Sequence, residues 1–262
     1  PGPEQLLMST EYDENATVLT FDVEWANPTV LNEVLTELDT RNLKATFFCT
    51  HEGIETPGHE RALHPNFRRD GDTLGQLKAK FGGEFDTLSD DDLIRMVLTQ
   101  TREFCPEATG IRTHSLFFEL KLMAIMKEMD FLYDSSCLLP LQGNVCPFSA
   151  MWGVTEIPIY YMDHLDLVNE VTSFNLEELK LEQKGLKVFN FHPTLIYLNA
   201  ENDHRFQSSK STYTDPDALL KQRFLGRGTR SLFLDLLDDI ATTNRPAMTM
   251  TEVATSWASA NK

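Results

Sequence analysis

Short apolar runs recur along the chain, and five of them end in carboxylate, imidazole or guanidinium side chains. They are Thr20-Phe21-Asp22-Val23-Glu24-Trp25, Ala45-Thr46-Phe47-Phe48-Cys49-Thr50-His51, Leu63-His64-Pro65-Asn66-Phe67, Ile111-Arg112-Thr113-His114-Ser115 and Val188-Phe189-Asn190-Phe191-His192-Pro193. The pattern predicts strands over Thr17–Asp22, Lys44–Cys49, Arg61–His64, Gly110–Arg112, Asp130–Asp134, Glu156–Tyr160 and Leu186–His192. Helical signals fall between them. Pro28 opens a helix reaching about Arg41, and Ser89-Asp90-Asp91-Asp92 caps another, whose stripe is Leu93, Ile94, Val97 and Leu98. Further helices are expected over Leu116–Met129, Leu176–Gln183, Gly228–Ile240 and Met248–Ala260. Gly71, Gly75, Gly82 and Gly83 make Arg69–Phe85 read as a loop. That loop and Tyr197–Arg230 are expected to shape a pocket.

Strands alternating with helices predict an α/β protein: a single distorted (β/α) barrel of about seven parallel strands over residues 17–262, after an N-terminal extension, residues 1–16. On such a barrel the side chains at the strand ends meet at one rim, where a site is to be sought.

The 262 residues are 41% apolar, enough for a substantial core. With 23 basic and 40 acidic residues the net charge is −17, which disfavours nucleic acid or an anionic membrane as partner. No apolar run approaches the ~20 residues of a membrane span. Cys49, Cys105, Cys137 and Cys146 show no CxxC spacing, so reduced thiols and a cytoplasmic location are expected. Pairing of Cys137 with Cys146 is the alternative in an oxidising compartment.

Asp22 and Glu24, two apart in a strand, share a face about 6.6 Å apart. Such a pair can divide labour, one acid holding a cation and the other taking a proton, or can be two solvated carboxylates. His64, with Pro65 turning the chain after it, and His51, at the end of its run, are candidate ligands; His59 reads as an ordinary histidine. Arg112 and His114 share a face, and Arg112 beside Asp22 would keep that acid ionised. His192 could protonate a leaving amine, or be a core histidine. The stretches Tyr133-Asp134-Ser135-Ser136 and Glu156-Ile157-Pro158, with Asn190, are candidates either to touch a substrate or to support the residues that do. Trp25, Trp152 and Tyr160 suit stacking on a sugar or ordinary packing.

Taken in order from Thr17 to Ile240, these stretches resemble the polysaccharide deacetylase superfamily (carbohydrate esterase family 4, the NodB-homology fold), and in particular its WbmS-like branch associated with lipopolysaccharide O-antigen biosynthesis. The resemblance implies Asp22 as catalytic base, Glu24 and His64 as metal ligands, Arg112 as the arginine orienting the base and His192 as the late catalytic histidine. It also implies a divalent metal, zinc by expectation, and an N-acetylated sugar or saccharide precursor as substrate, contacted by Trp25, Asn66, Asp134 and Asn190. Two positions depart from the family pattern. Arg68 stands where a second metal histidine is usual, and His114 where a proline is usual. His51 is therefore expected to supply the third ligand, with His114 as the fallback. Two other functions stay open: hydrolysis of another amide or cyclic amide, and a degenerate, metal-free saccharide binder.

Overall fold

The computed structural model describes residues 12–68, 70–170, 173–243 and 245–261. Residues 1–11 of the expected N-terminal extension, and Arg69, lie outside the described residues.

Nine strands form one sheet: β1 (Thr17–Asp22), β2 (Thr46–Cys49), β3 (Glu60–Leu63), β4 (Gly110–Ile111), β5 (Tyr133–Asp134), β6 (Phe148–Ser149), β7 (Thr155–Glu156), β8 (Tyr161–Met162) and β9 (Lys187–Phe191). Their order is β6-β7-β5-β4-β3-β2-β1-β9-β8. Every pairing is parallel except β6 with β7. The chain passes from Glu156 in β7 to Tyr161 in β8, a step that can span at most about 18 Å. Laid flat, those two strands would stand about 34 Å apart. The sheet must therefore curl into a barrel. Main-chain hydrogen bonds from Leu139 to Ile159 and from Leu141 to Tyr160, each 2.9 Å, help draw its sides together.

Curling separates each strand's residues into two columns. In β1, Leu19 and Phe21 face outward into the main core, where Phe21 stacks on Phe47 at 4.8 Å between ring centres. Helices cover that face: the helix Pro28–Thr40, capped by the Asn27 side chain, buries Val30, Leu31, Val34, Leu35 and Leu38. Val18, Thr20 and Asp22 face the interior. There Val18 joins Phe48, Ala62, Tyr133 and Val188 in a smaller core, sealed from below by Met250, Val253 and Ala254 of the C-terminal helix Met250–Ala260. Gly110 is required here, because a Cβ would lie 2.2 Å from the Tyr133 ring.

Several expected elements differ in detail. The run Glu156–Tyr160 is not one strand: only Glu156 lies in a strand, at the end of β7, and the rest of the run crosses the closure to β8. The two-residue strand β6 is additional, with both residues exposed. Arg69–Phe85 is not a loop: Asp72–Phe81 is helical, because Gly71 and Gly82 fall at its two caps and Gly75 alone interrupts it. Helix Leu116–Met129 starts only at Leu120, after Ser115 and Leu116 take left-handed φ values of 59° and 52°. The segment after Leu176 is a short 3-10 turn, Leu176–Leu179, ended by left-handed Lys180.

Candidate active site

The C-terminal ends of β1, β3, β4 and β9 deliver Asp22, His64, Arg112 and His192 to one place. They surround the floor of a cavity of about 530 Å³, lined by Asp22, Glu24, His64, His114 and His192 among others. Arg112 lies beneath it, fully buried, with its guanidinium 4.1 Å above the Phe48 ring. Nη1 donates to Asp22 Oδ1 at 3.0 Å, Thr20 Oγ1 at 2.8 Å and Asn190 Oδ1 at 2.8 Å. Nε and Nη2 donate to the Ser135 carbonyl and hydroxyl, at 3.0 and 2.9 Å.

Asp22 is buried and receives a second hydrogen bond, 2.8 Å, from Asn190 Nδ2 to Oδ2. Burial alone would raise its carboxyl; His64, Arg112, His192 and the Asn190 hydrogen bond reverse this and hold it well below the usual carboxylate range. Asp22 is thus ionised and fixed in place.

Glu24 reaches the cavity by a different route from the expected one. β1 ends at Asp22, and Glu24 sits in the left-handed region at φ 49°, so a turn, not strand alternation, brings the two carboxylates together. Arg112 and His114 keep the expected alternation just beyond β4: Thr113 between them is extended, and their N–H groups donate to the Leu63 and Pro65 carbonyls at 2.9 and 3.0 Å. Glu24, His64 and His114 each place one ligand atom within 4.8 Å of the other two. His64 Nδ1 lies 2.9 Å from the Arg112 carbonyl, to which it can only donate, leaving Nε2 with its lone pair. Burial pushes the His64 imidazole down, which keeps it neutral. His114 Nδ1 is buried without a hydrogen bond, 3.5 Å from Glu24 Oε1. Neutral imidazoles and a carboxylate with lone pairs converging are the donor set of a divalent-cation site, and two histidines with a glutamate are a recognised zinc set. The residues present fit such an ion.

The structure does not bring His51 into this group. Its chain turns away after β2, through Gly53 at φ 79°, and its ring approaches the Glu24 main chain from outside the cavity. Arg68 lines the cavity, with an exposed guanidinium paired to Asp70 at 3.1 Å. Trp25 and Asn66 line the cavity as well. Asp134 and Asn190 do not: both are fully buried, so neither can touch a substrate, and the expected contact role is corrected for both. Asn190 instead braces Asp22 and Arg112. Tyr160 belongs to the core, its hydroxyl donating to the Leu179 carbonyl at 2.9 Å.

Two groups escaped the reading of the sequence. Asp163, buried, accepts from His192 Nδ1 at 2.7 Å and from the His192 main-chain N–H at 2.9 Å. Burial would depress the His192 imidazole, but the Asp163 charge and hydrogen bond, with Glu24 and Asp22 beyond, push it up to about 9. His192 is therefore a cation whose Nε2 points toward Asp22 and Glu24, 3.9 Å from each. His164 also lines the cavity, its ring packed between His192 and Phe206. The signal was present: Tyr160-Tyr161-Met162-Asp163-His164 is one more apolar run ending in an acid and a histidine.

Residues 19–210 match the model of the WbmS-like polysaccharide deacetylases. The chain belongs to that family. It is thus an enzyme of the polysaccharide deacetylase type. A crystal structure of WbmS from Bordetella bronchiseptica, described as a polysaccharide deacetylase involved in O-antigen biosynthesis, superposes with a TM-score of 0.69 at 24% identity, over 85% of this chain and 89% of that one. A polysaccharide deacetylase structure from Mycobacterium smegmatis gives 0.59 at 15%, over 96% and 94%. At these identities the likeness is one of fold. Curated proteins yield no match. No helix among the described residues is long and apolar enough to cross a membrane.

Proposed function

We propose that this deacetylase is metal-dependent and removes an N-acetyl group from a sugar or saccharide precursor of a surface polysaccharide. The observation that carries the reading is the convergence of Glu24, His64 and His114 beside a guanidinium-held Asp22 and a charged His192. Glu24, His64 and His114 would hold the ion, and the donor set favours zinc. Such an ion supplies Lewis-acid polarisation of the acyl oxygen and a lowered pKa for water. The chain's own residues supply the proton traffic. Asp22, ionised and fixed by Arg112 and Asn190, accepts the proton of the attacking water. His192, charged and oriented by Asp163, stabilises the negative charge that develops beside it and then protonates the departing amine. Trp25 and Asn66 line the space that the sugar would fill, and Trp25 offers a face for stacking. The O-antigen role of the Bordetella structure supports a precursor of a cell-surface saccharide as substrate. The free thiols Cys49, Cys105, Cys137 and Cys146 accord with a reducing compartment such as the cytoplasm.

The test is metal analysis joined to acetate release from N-acetylated sugars. The purified protein is expected to hold one divalent ion per chain and to lose activity with chelator. Acetate release undiminished by chelator would refute the metal role. Arg68 at a usual ligand position favours a second reading, a metal-free saccharide binder; saccharide binding with neither metal nor acetate release would establish it.

A further inference from the structure

The end of β5 lies behind the cavity without lining it, and Asp134 and Ser135 there are fully buried. Ser135 spends its carbonyl and hydroxyl on Arg112. Ser136 Oγ accepts the main-chain N–H of Thr113 at 3.1 Å and donates to Asp134 Oδ1 at 2.6 Å. Thr113 immediately precedes His114, and it anchors a difficult turn. Ser115 and Leu116 are both left-handed, at φ 59° and 52°, conformations that persist in non-glycine residues only where the surroundings hold them. Thr113 Oγ1 closes the turn by donating to the Phe117 carbonyl at 2.7 Å, and the His114 N–H donates to the Pro65 carbonyl at 3.0 Å. Asp134 thus stands at the root of a chain that runs through Ser136 and Thr113 to the imidazole. Its other oxygen, Oδ2, receives no hydrogen bond from a nitrogen or hydroxyl and faces the Glu156 carboxyl. Burial and the Asp134 charge push the Glu156 carboxyl up, so Glu156 keeps a proton to share with Asp134. Asp134 can then accept from Ser136 without standing as an isolated buried charge.

We propose that Asp134, acting through Ser136, is a positioning residue for His114, so that the segment Asp134-Ser135-Ser136 sets both the guanidinium behind the base and the third metal ligand. The proposal rests on the reading of His114 as a ligand. It explains why a carboxylate sealed from the cavity occupies this strand end, one residue from the serine that holds Arg112.

The test measures zinc affinity by competition with a chromophoric chelator, and amide exchange of the metal-free protein, for the full chain and four variants. His114→Ala is expected to weaken zinc binding by 100-fold or more. Ser136→Ala is expected to weaken it by about 10- to 100-fold and to speed exchange of the Thr113–Phe117 amides. Glu60→Gln, a half-buried hydrogen-bond loss at the far end of the barrel, is expected to lower the melting temperature while leaving zinc affinity and those amides unchanged. Ser136→Thr, which keeps the hydroxyl, is expected to restore most of the affinity and also serves if Ser136→Ala fails to fold. Wild-type zinc affinity in Ser136→Ala, with His114→Ala impaired, would overturn the positioning role alone. Wild-type affinity in His114→Ala would overturn the ligand reading and the proposal with it.

Discussion

At the N-terminal end of the barrel interior, the Glu60 carboxylate receives four hydrogen bonds: Oε1 from Tyr133 and Thr251 hydroxyls at 2.8 and 2.6 Å, Oε2 from the Thr46 hydroxyl and Thr251 N–H at 2.8 and 3.0 Å. At the C-terminal end, the ion-pair partners of Glu24 among the described residues are the imidazoles of His114 and His192, at 3.5 and 3.9 Å, and His114 Nδ1 has no hydrogen bond there. The strands are the same and so is the residue type, yet one end matches every acceptor to a donor, and at the other the ligand atoms of Glu24, His64 and His114 converge within 4.8 Å of one another. A buried acceptor without a donor costs free energy, so a fold selected for stability alone would have closed both ends alike. In the function proposed above, the unmatched end is where a cation and a substrate would complete the set, and the left-handed residues Glu24, Ser115 and Leu116 lie there too.

The sharpest way to break this contrast is Asp22→Asn. It keeps shape and removes the negative charge, so acetate release should fall by about 10²- to 10⁴-fold while the ion and the fold are retained. The melting temperature should fall, since the buried Arg112 guanidinium loses its anionic partner. A variant that keeps its turnover would mean that another group takes the proton. Next in size is the pair His114→Ala and His51→Ala: metal content should collapse in the first and stay at the wild-type level in the second. The reverse result would move the ligand site to the outside of the β1–β2 turn.

How far the sequence disclosed this follows from the same contrast. Strand ends were legible because a largely apolar run such as Val188–Phe191 gives way to a charged or titratable side chain, His192, where the strand reaches the rim. Asp22, His64, Arg112 and His192 could thus be named from pattern alone. The exact donors could not. Glu24 arrives through a left-handed turn, which no two-residue periodicity encodes, and the preference for His114 over His51 in the proposed ligand set comes from which of them lines the cavity. Asn190 and Asp134 looked like substrate contacts because they are polar at strand ends; whether a polar group faces the cavity or lies beneath it depends on barrel curvature, a property of the closed sheet. Asp163 was missed because Glu156–Tyr160 read as one strand, although the closure divides it and carries β8 to the opposite edge.

At the matched end a smaller, purely structural loss is expected. Glu60→Gln retains size but replaces one charged acceptor by a donor, against a ring of groups that already donate. Unfolding free energy should drop by about 1.5–3 kcal/mol, the scale of hydrogen bonds to a charged group, with kcat/KM unchanged. Lost activity in a folded Glu60→Gln protein would show that the two ends communicate, and the division drawn above would fail.

The finest test asks whether Asp163 is what keeps His192 charged. In the folded, metal-free protein the imidazole titrates at about 9, against an ordinary value of 6.5. A group whose folded value is raised stabilises the fold fully below its unfolded value, and that contribution fades as pH climbs through the folded one. Wild-type stability should therefore exceed that of Asp163→Asn by the largest margin near about pH 6, with the gap narrowing between about pH 6.5 and 9 as both proteins come to hold a neutral imidazole. The remaining gap above that range reports the lost hydrogen bonds alone. In acetate release, the same substitution should move the alkaline limb to lower pH, because the leaving amine loses its acid sooner. A stability gap that stays level from about pH 6 to 10 would assign the raised value to Asp22 and Glu24 instead, leaving Asp163 as a mere anchor for the ring.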